Sequence, residues 1–274
     1  MPVIATNTAA NAAVRYLNIN ANQESSSLAK LSSGSRITHA SDDAAGLAIA
    51  TRISSDVTTL QQAATNASQA ASILQTADGG ASNISDILAR MKSLASESAS
   101  GTVVDADRAY LNDEFSQLVS EIGSIASGTR YSGISLLDGS SAFTSGVNVL
   151  VGTTSADTIQ IKLNKLDATT LGVDSDNIST QSGANTALTH IDAAIDKVSA
   201  ARALIGAQES RFNFSADSIS TQTQNLQAAH SAIMDVDIAA EESNLSSAQV
   251  KTQAAVSAET AANQMPQFLL KLLG

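Results

Sequence analysis

The sequence predicts a mainly α-helical fold: a long antiparallel helical rod or coiled coil with a small β-hairpin region. Apolar residues recur at alternating steps of three and four over two long segments, which is the spacing of packed helices. Aromatic residues make up only 3% of the 274 residues, and much of the apolar content is alanine. Because alanine buries little area, such a chain favours extended helix-on-helix contacts. A short stretch of alternating apolar and polar residues separates the two segments.

The first long segment is predicted to form a helix over residues 42–99, roughly 85 Å long at 1.5 Å per residue. The stretch 41–43, Ser-Asp-Asp, supplies an N-cap and an acidic first turn, and Gly101 ends the helix. Asp78 is expected to interrupt the apolar pattern. The apolar positions on either side of it are Ile53, Val57, Leu60, Ala64, Ala67, Ala71 and Leu74, then Ala81, Ile84, Leu88, Met91 and Ala95.

A shorter helix and a hairpin are predicted next. The helix carries the same rhythm at Leu111, Phe115, Leu118, Ile122 and Ile125. Residues 132–145 are rich in Gly and Ser. Residues 147–151 and 158–163 then form two short strands around a turn-like stretch at 152–157, so a β-hairpin is predicted near 147–163.

The C-terminal half contains a packing seam that repeats every seven residues. Its members are Ile191, Val198, Ile205, Phe212, Ile219, Leu226 and Ile233. The predicted companion seam is only partly apolar and consists of Leu188, Ile195, Arg202, Glu209, Ala216, Thr223 and His230. One apolar seam with a mixed companion favours a bundle of several helices, or a helix with part of its face reserved for another chain.

The two ends of the chain resemble each other, because residues 1–41 and 243–274 carry few charges and a weak apolar stripe each. Alone they bury too little to offset the roughly 1–2 kcal/mol per residue that backbone ordering costs. We therefore expect them to be mobile in a monomer and ordered against other copies. The predicted assembly residues are Val14, Leu17, Leu28, Leu31, Leu245, Leu269 and Leu273.

Charge and composition argue against several classes of partner. The formal net charge of −11 disfavours nucleic acid, and the absence of Cys removes disulfides and thiolate metal sites. The N-terminal residues do not show the pattern of a secretory signal peptide. No stretch reaches the roughly 18 apolar residues of a membrane span. We expect neither nucleic acid nor a membrane span, and no Sec-type signal if the protein leaves the cell.

Motifs that suggest catalysis are incomplete. The Ser-x-x-Lys sequence at 27–30 and the Ser-Asp-Asn sequence at 175–177 hint at a penicillin-binding serine enzyme, but Gln253 stands where the third motif needs Gly. The three histidines lack metal-ligand spacing, and helix capping explains the Asp pairs at 42–43 and 235/237 better than an active site. We predict no catalytic, cofactor or metal site, and no enzyme.

Several motifs resemble bacterial flagellins, and they occur in family order over nearly the whole chain. The N-terminal ones are Leu-Ser-Ser-Gly-Ser-Arg-Ile at 31–37 and Ser-Asp-Asp-Ala-Ala-Gly-Leu-Ala-Ile at 41–49. Later ones include Leu-Leu-Asp-Gly at 136–139, Leu-Ile-Gly-Ala-Gln at 204–208, Asp-Val-Asp at 235–237 and Ala-Asn-Gln at 262–264. The resemblance implies a structural subunit that self-polymerises into the bacterial flagellar filament for motility.

The resemblance also implies domains and partners. Residues 1–42 and 236–274 form an inner coiled-coil core, and 43–235 form a helical domain without the variable outer domains of larger relatives. It implies type III export to an extracellular flagellum, an export chaperone, and cap and hook-junction proteins. The homologous hook–filament junction protein, or a soluble coiled-coil adhesin, are the alternatives.

A Toll-like receptor of the host is a further implied partner. Of the family's receptor-contact patch this chain retains Arg90, Leu94 and Glu114. The family's Gln, Arg and Glu are replaced by Ala89, Lys92 and Ser93. Lys cannot reproduce the bidentate geometry of Arg, so we expect weakened recognition.

Overall fold

The computed structural model describes residues 6–273, and the side chains of residues 6–265. The helices are α1 (Thr8–Ser33), α2 (Ala44–Ala99), α3 (Asp105–Gly128), α4 (Ala168–Leu171), α5 (Gln181–Met234) and α6 (Ile238–Leu273). The strands are β1 (Arg130–Tyr131), β2 (Ile134–Ser135), β3 (Val147–Leu150) and β4 (Thr158–Ile161). The predicted fold class, mainly α with a small β region, is confirmed. The chain divides into a terminal unit, residues 1–55 with 225–274, and a central unit, residues 56–224.

Side chains and a glycine set the helix ends of the terminal unit. Gly34 adopts the left-handed conformation, with φ of 71°, that closes α1. Asp43 Oδ1 accepts the backbone N–H of Gly46 at 2.8 Å at the start of α2, and Asp237 Oδ1 accepts that of Ala240 at 3.1 Å at the start of α6. The interpretation as helix caps is confirmed for Asp43 and Asp237. Asp42 instead accepts the backbone N–H groups of Thr38 and His39, and Asp235 accepts the hydroxyl of Ser231. The predicted acidic first turn of α2 is wrong, because the helix begins at Ala44, after both aspartates.

The central unit is built on the antiparallel pairing of α2 with α5. Gln75 Nε2 donates to Glu209 Oε1 at 2.8 Å, and Lys92 Nζ lies 2.6 Å from Asp192 Oδ1. Between the helices lies the predicted α5 seam, which is buried at Ile191, Val198, Ile205, Phe212 and Ile219. Leu226 and Ile233, the last two members of that seam, belong to the terminal unit and are only half-buried.

The companion seam was predicted one residue too far along α5. The structure buries Ala187, Ala194, Ala201 and Gln208, whereas Leu188 and Ile195 lie at the margin of the core. A seven-residue repeat can place the companion position either three or four residues after each seam residue. The prediction took the positions with the larger apolar residues. Alanine occupies three of the four buried positions, and a methyl side chain lets helix backbones approach closely.

The same shift corrects the pattern on α2. Ala63, Ala70 and Ala77 are buried rather than Ala64 and Ala71, so the apolar repeat continues without a break. The predicted interruption at Asp78 is wrong. Asp78 lies beside the seam and is half-exposed, and its carboxylate pairs with the guanidinium of Arg202, Nε to Oδ1, at 2.9 Å.

Helix α3 closes the core, with Phe115 and Ile122 fully buried as the sequence predicts. The connection from α2 to α3 is held by Arg108, whose side chain is 8% exposed. Its Nε donates to the Ser98 carbonyl at 2.8 Å, and its Nη2 donates to the Ser100 carbonyl at 2.8 Å. The guanidinium therefore satisfies the Ser98 carbonyl at the end of α2 and adds a second donor to the Ser100 carbonyl, which also accepts the N–H of Val103.

Two hairpins lie between α3 and α4. Strands β3 and β4 pair antiparallel, with Val147 opposite Ile161 and Val149 opposite Ile159, so the predicted hairpin is confirmed. Strands β1 and β2 form a second hairpin that the sequence analysis missed. Its two-residue turn has positive φ at Ser132 and Gly133, the geometry of a type I′ turn. No outer domain is inserted between α3 and α5 in the described chain.

Candidate subunit interface

Helices α1 and α6 of the terminal unit pack against each other in antiparallel directions. Asn7 Nδ2, at the start of α1, donates to the carbonyl oxygen of Ala262 at 2.8 Å. Farther along α1, the hydroxyl of Thr252 lies 3.4 Å from Glu24 Oε2. Residue numbers therefore rise along α1 as they fall along α6.

The contact between α1 and α6 is made by small side chains. Alanines at every seventh position of α6, Ala248, Ala255 and Ala262, are buried, as are Ala10 and Ser27 of α1. Burial of a methyl group removes little apolar area from water, so each contact stabilises the pair only slightly. The pair is therefore thin, and most of each helix surface stays available.

That available surface carries large apolar side chains. Val14 and Leu28 of α1 are 38% and 58% exposed, and Val250 of α6 is 64% exposed. We call the exposed large apolar residues of the two helices the terminal apolar surface. Its described members are Val14, Tyr16, Ile19, Leu28, Ile238, Val250, Val256 and Met265. Because few charges accompany them, the exposed apolar residues of these two helices favour association with another protein.

The predicted assembly residues differ in how far they are exposed. Val14 and Leu28 lie on the terminal apolar surface, while Leu17, Leu31 and Leu245 are half-buried. Leu269 and Leu273 lie outside the residues whose side chains are described. Sequence analysis missed Tyr16, Ile19, Val250 and Val256. They fall outside the heptad stripes, and the signal for them was apolar residues in segments of low charge.

The predicted receptor patch is only partly on the surface. Nε and Nη2 of Arg90 donate to Glu114 Oε1 at 2.9 and 2.6 Å, and both side chains are about half-exposed. Leu94 is 1% exposed and belongs to the core, so it is not available as a contact residue and that prediction is corrected. Burial follows from position, because Leu94 lies on the core side of α2, three residues after the buried Met91.

The residues that suggested catalysis belong to different units of the chain. Ser27 and Lys30 lie on α1 in the terminal unit, whereas Ser175–Asn177 belong to the central unit. His190 Nδ1 pairs with Asp176 Oδ1 at 2.7 Å, and among the described residues no group of His and carboxylate side chains could hold a metal ion. A search of the same residues finds no helix apolar enough over a sufficient length to cross a membrane.

The long helices pack through buried alanines, and the thin pair of terminal helices carries exposed apolar residues. These features define a class: helical structural proteins that assemble into larger structures. Comparison with known proteins gives the family. Residues 4–142 match the model of the bacterial flagellin N-terminal helical region, and residues 188–273 match that of the C-terminal helical region.

Individual relatives match over almost the whole chain. A flagellin from Halalkalibacterium halodurans is 37% identical over 99% of both chains, and one from Listeria monocytogenes is 35% identical over 89% of this chain and 90% of its own. A flagellar filament core protein of Treponema maltophilum is 34% identical over 99% of both chains.

Solved structures agree. The crystal structure of Bacillus cereus flagellin matches with a TM-score of 0.52 and 32% identity, over 61% of this chain and 94% of that one. A flagellar hook-associated protein from Vibrio parahaemolyticus, at 14% identity and a TM-score of 0.59, shares the fold alone.

The chain therefore belongs to the bacterial flagellin family, as a short form without the variable domain. Its function is that of a structural subunit of a flagellar filament. These matches do not favour the hook–filament junction alternative over this function.

Proposed function

We propose that copies of this chain polymerise through the terminal apolar surface. In this proposal residues 1–42 and 236–274 form the inner layer of the filament, and residues 43–235 form a helical layer around it. The observation that carries the proposal is the exposure of Leu28, Val250 and their neighbours on two helices that bury mainly alanine between them. Contact with further copies removes this apolar area from water at about 25 cal/mol per Å².

A single charge on the terminal apolar surface tests the proposal. We expect Leu28→Asp to prevent polymerisation, because an aspartate would have to leave water without a partner when the copies associate. Ser199→Asp is the matched control, since Ser199 is exposed on α5 outside the terminal apolar surface and the charge change is the same. Sedimentation after induced polymerisation, with helix content from circular dichroism, measures the effect. Equal pelleting of the Leu28→Asp chain and the natural chain would contradict the assignment of this surface.

We also propose that this chain is not an enzyme and that it is exported to an extracellular flagellum. Support comes from the structural character of the family and from roles found for the residues that suggested catalysis. An export chaperone that covers the C-terminal segment, with cap and hook-junction proteins at the filament ends, completes the proposed set of partners. Co-purification of the chain with such a chaperone, lost when residues 267–274 are removed, tests the first of these partners.

Recognition by a Toll-like receptor is proposed in a weakened form. Arg90 and Glu114 pair with each other, and Lys92 pairs with Asp192, so a receptor has to compete with existing ion pairs. A reporter-cell assay with purified monomer checks this. Activity equal to that of a flagellin with the full patch would contradict weakening.

A further inference from the structure

A cavity of about 400 Å³ in the central unit is lined by three lysines. Lys162, Lys165 and Lys197 surround it, together with the side chains of Thr144, Asn164 and Thr170. The chain has only 15 lysines and arginines against 26 acidic residues, so three cations around one cavity depart sharply from its average charge. We call this site the lysine cavity.

Each lysine is held in place by a specific feature of the fold. Lys197 Nζ donates to the carbonyl oxygens of Thr170 and Leu171 at 2.9 and 3.1 Å, where α4 ends. Lys165 lies so close over Gly139 that a Cβ there would come within 2.7 Å of its Cδ. The backbone of Lys162 is fixed on both sides by Gln208, whose amide accepts its N–H at 2.8 Å and donates to its carbonyl at 2.9 Å.

The lysine cavity keeps an excess of positive charge. Asp167 Oδ2 pairs with Lys165 Nζ at 2.9 Å and neutralises one cation. Within the described part of the chain Lys162 has no ion-pair partner, and Lys197 bonds only to carbonyl oxygens. The remaining lining residues include Thr144 and Thr170, whose hydroxyls can donate hydrogen bonds, beside Leu163, Leu166 and Leu171. The chemistry of the cavity therefore suits a carboxylate or another small anion.

Helix α3 has exposed carboxylates that lack partners. Tyr110, Asp113, Gln117 and Glu121 follow one another at steps of three and four, so they share one face of the helix, and all four are exposed. In the described chain neither Asp113 nor Glu121 forms an ion pair, and Tyr110 is 75% exposed. We call this the acidic face of α3.

The acidic face contributes no residue to the lining of the lysine cavity in its own chain. It lies opposite the side of α3 that buries Phe115 and Ile122 in the core of the central unit. A subunit of a helical filament meets its neighbours through two different surfaces, because such contacts repeat without closing. Opposite charges on two separate surfaces of one chain fit that requirement.

We propose that the lysine cavity binds carboxylates of the acidic face of α3 on a second copy of this chain. The proposal rests on the proposed function, since it names one contact between copies in the polymer. Asp113 and Glu121 supply the carboxylates, and Lys162 is their main partner. Lys165 joins by exchanging Asp167 for one of these carboxylates, and Tyr110 contributes apolar area beside them. Because these pairs form near the surface, they act mainly on the rate of association and make it sensitive to salt.

Charge exchange between two variants tests this contact. One chain carries Lys162→Glu and Lys165→Glu, and the other carries Asp113→Lys and Glu121→Lys. We expect each alone to polymerise about tenfold more slowly than the natural chain at low ionic strength, and an equimolar mixture to recover the rate. The matched control carries Arg130→Glu and Arg211→Glu, two exposed cations of the same unit that do not line the cavity, and polymerises at the natural rate.

The outcomes separate the alternatives. If natural chain and control form filaments and the charge-reversed chains do so equally fast, this contact is wrong while the proposed function stands. If the natural chain forms none, the proposed function itself fails. Titration with inorganic phosphate tests whether the lysine cavity binds a free anion instead of carboxylates of a second copy. Binding by the natural monomer that is lost in the lysine variant, without rescue in the mixture, would overturn the contact and assign the cavity to a free anion.

Discussion

Aspartates that accept backbone N–H groups organise the turns of this chain. Asp157 Oδ2 accepts the backbone N–H of Thr154 at 2.9 Å and its hydroxyl at 2.8 Å in the turn from β3 to β4. Asp138 accepts the backbone N–H of Ser140 at 2.8 Å. In both cases the backbone hydrogen bond is the main cause that lowers the pKa of the carboxyl below 3.8.

A lowered pKa in the folded state makes the stability of such turns depend on pH. The contribution of Asp157 is fully present above about pH 4, the pKa of an unfolded aspartate, and is lost as the pH falls through the lower folded value. We therefore expect Asp157→Asn to lower the melting temperature by more at pH 7 than near pH 2. Asp217→Asn, at an exposed site on α5, is the control and changes little. An equal decrease at both pH values would contradict the assigned role.

Two phenylalanines of α5 differ in burial, so their substitution by alanine should change the free energy of unfolding by different amounts. Phe212 is fully buried, whereas Phe214 is 73% exposed. We expect Phe212→Ala to lower the free energy of unfolding by about 3–5 kcal/mol, because it removes a large side chain from a packed core. Phe214→Ala, the same change two residues away, should stay within about 0.5 kcal/mol. Denaturant titration of the monomer measures both, and similar losses would show that the seam register is wrong.

At the scale of elements, the long helices and the β3–β4 hairpin were predictable because their patterns extend over many residues. Two features were not. The β1–β2 hairpin has strands of two residues, too short to show alternation, and only the Ser132–Gly133 turn marked it. The companion seams of α2 and α5 were displaced by one residue, since the apolar repeat fits steps of three and four equally. The choice of Ala77 over Asp78 depends on how closely the two helices approach.

The close packing of α2 and α5 gives a prediction for the buried alanines of α5. Ala194 is fully buried between seam residues Ile191 and Val198, and we expect Ala194→Leu to destabilise the central unit by about 1–3 kcal/mol through overpacking. Ala193→Leu adds the same atoms at an exposed position and serves as the control. Thermal melting followed by circular dichroism compares them. A neutral or stabilising effect at Ala194 would mean that the helices are farther apart than described.

At the scale of the whole molecule, the candidate interface was predictable in kind but not in detail. Low charge at both ends indicated assembly, and Val14 and Leu28 were found among the exposed residues. The lysine cavity was not foreseeable, because Lys162 and Lys165 lie far along the chain from Lys197 and only the fold brings them together. Predicting such a site requires the positions of α4 and β4 relative to α5, which no local pattern contains.

The central claim is that this chain builds a filament from copies of itself through its terminal helices. Electron microscopy tests it most directly, on protein dissociated at low pH and returned to neutral pH with a precipitating salt. We predict long, uniform filaments from the natural chain and none from Leu28→Asp, with both chains helical by circular dichroism. Natural protein that regains its helices and yet remains monomeric under these conditions would contradict the claim.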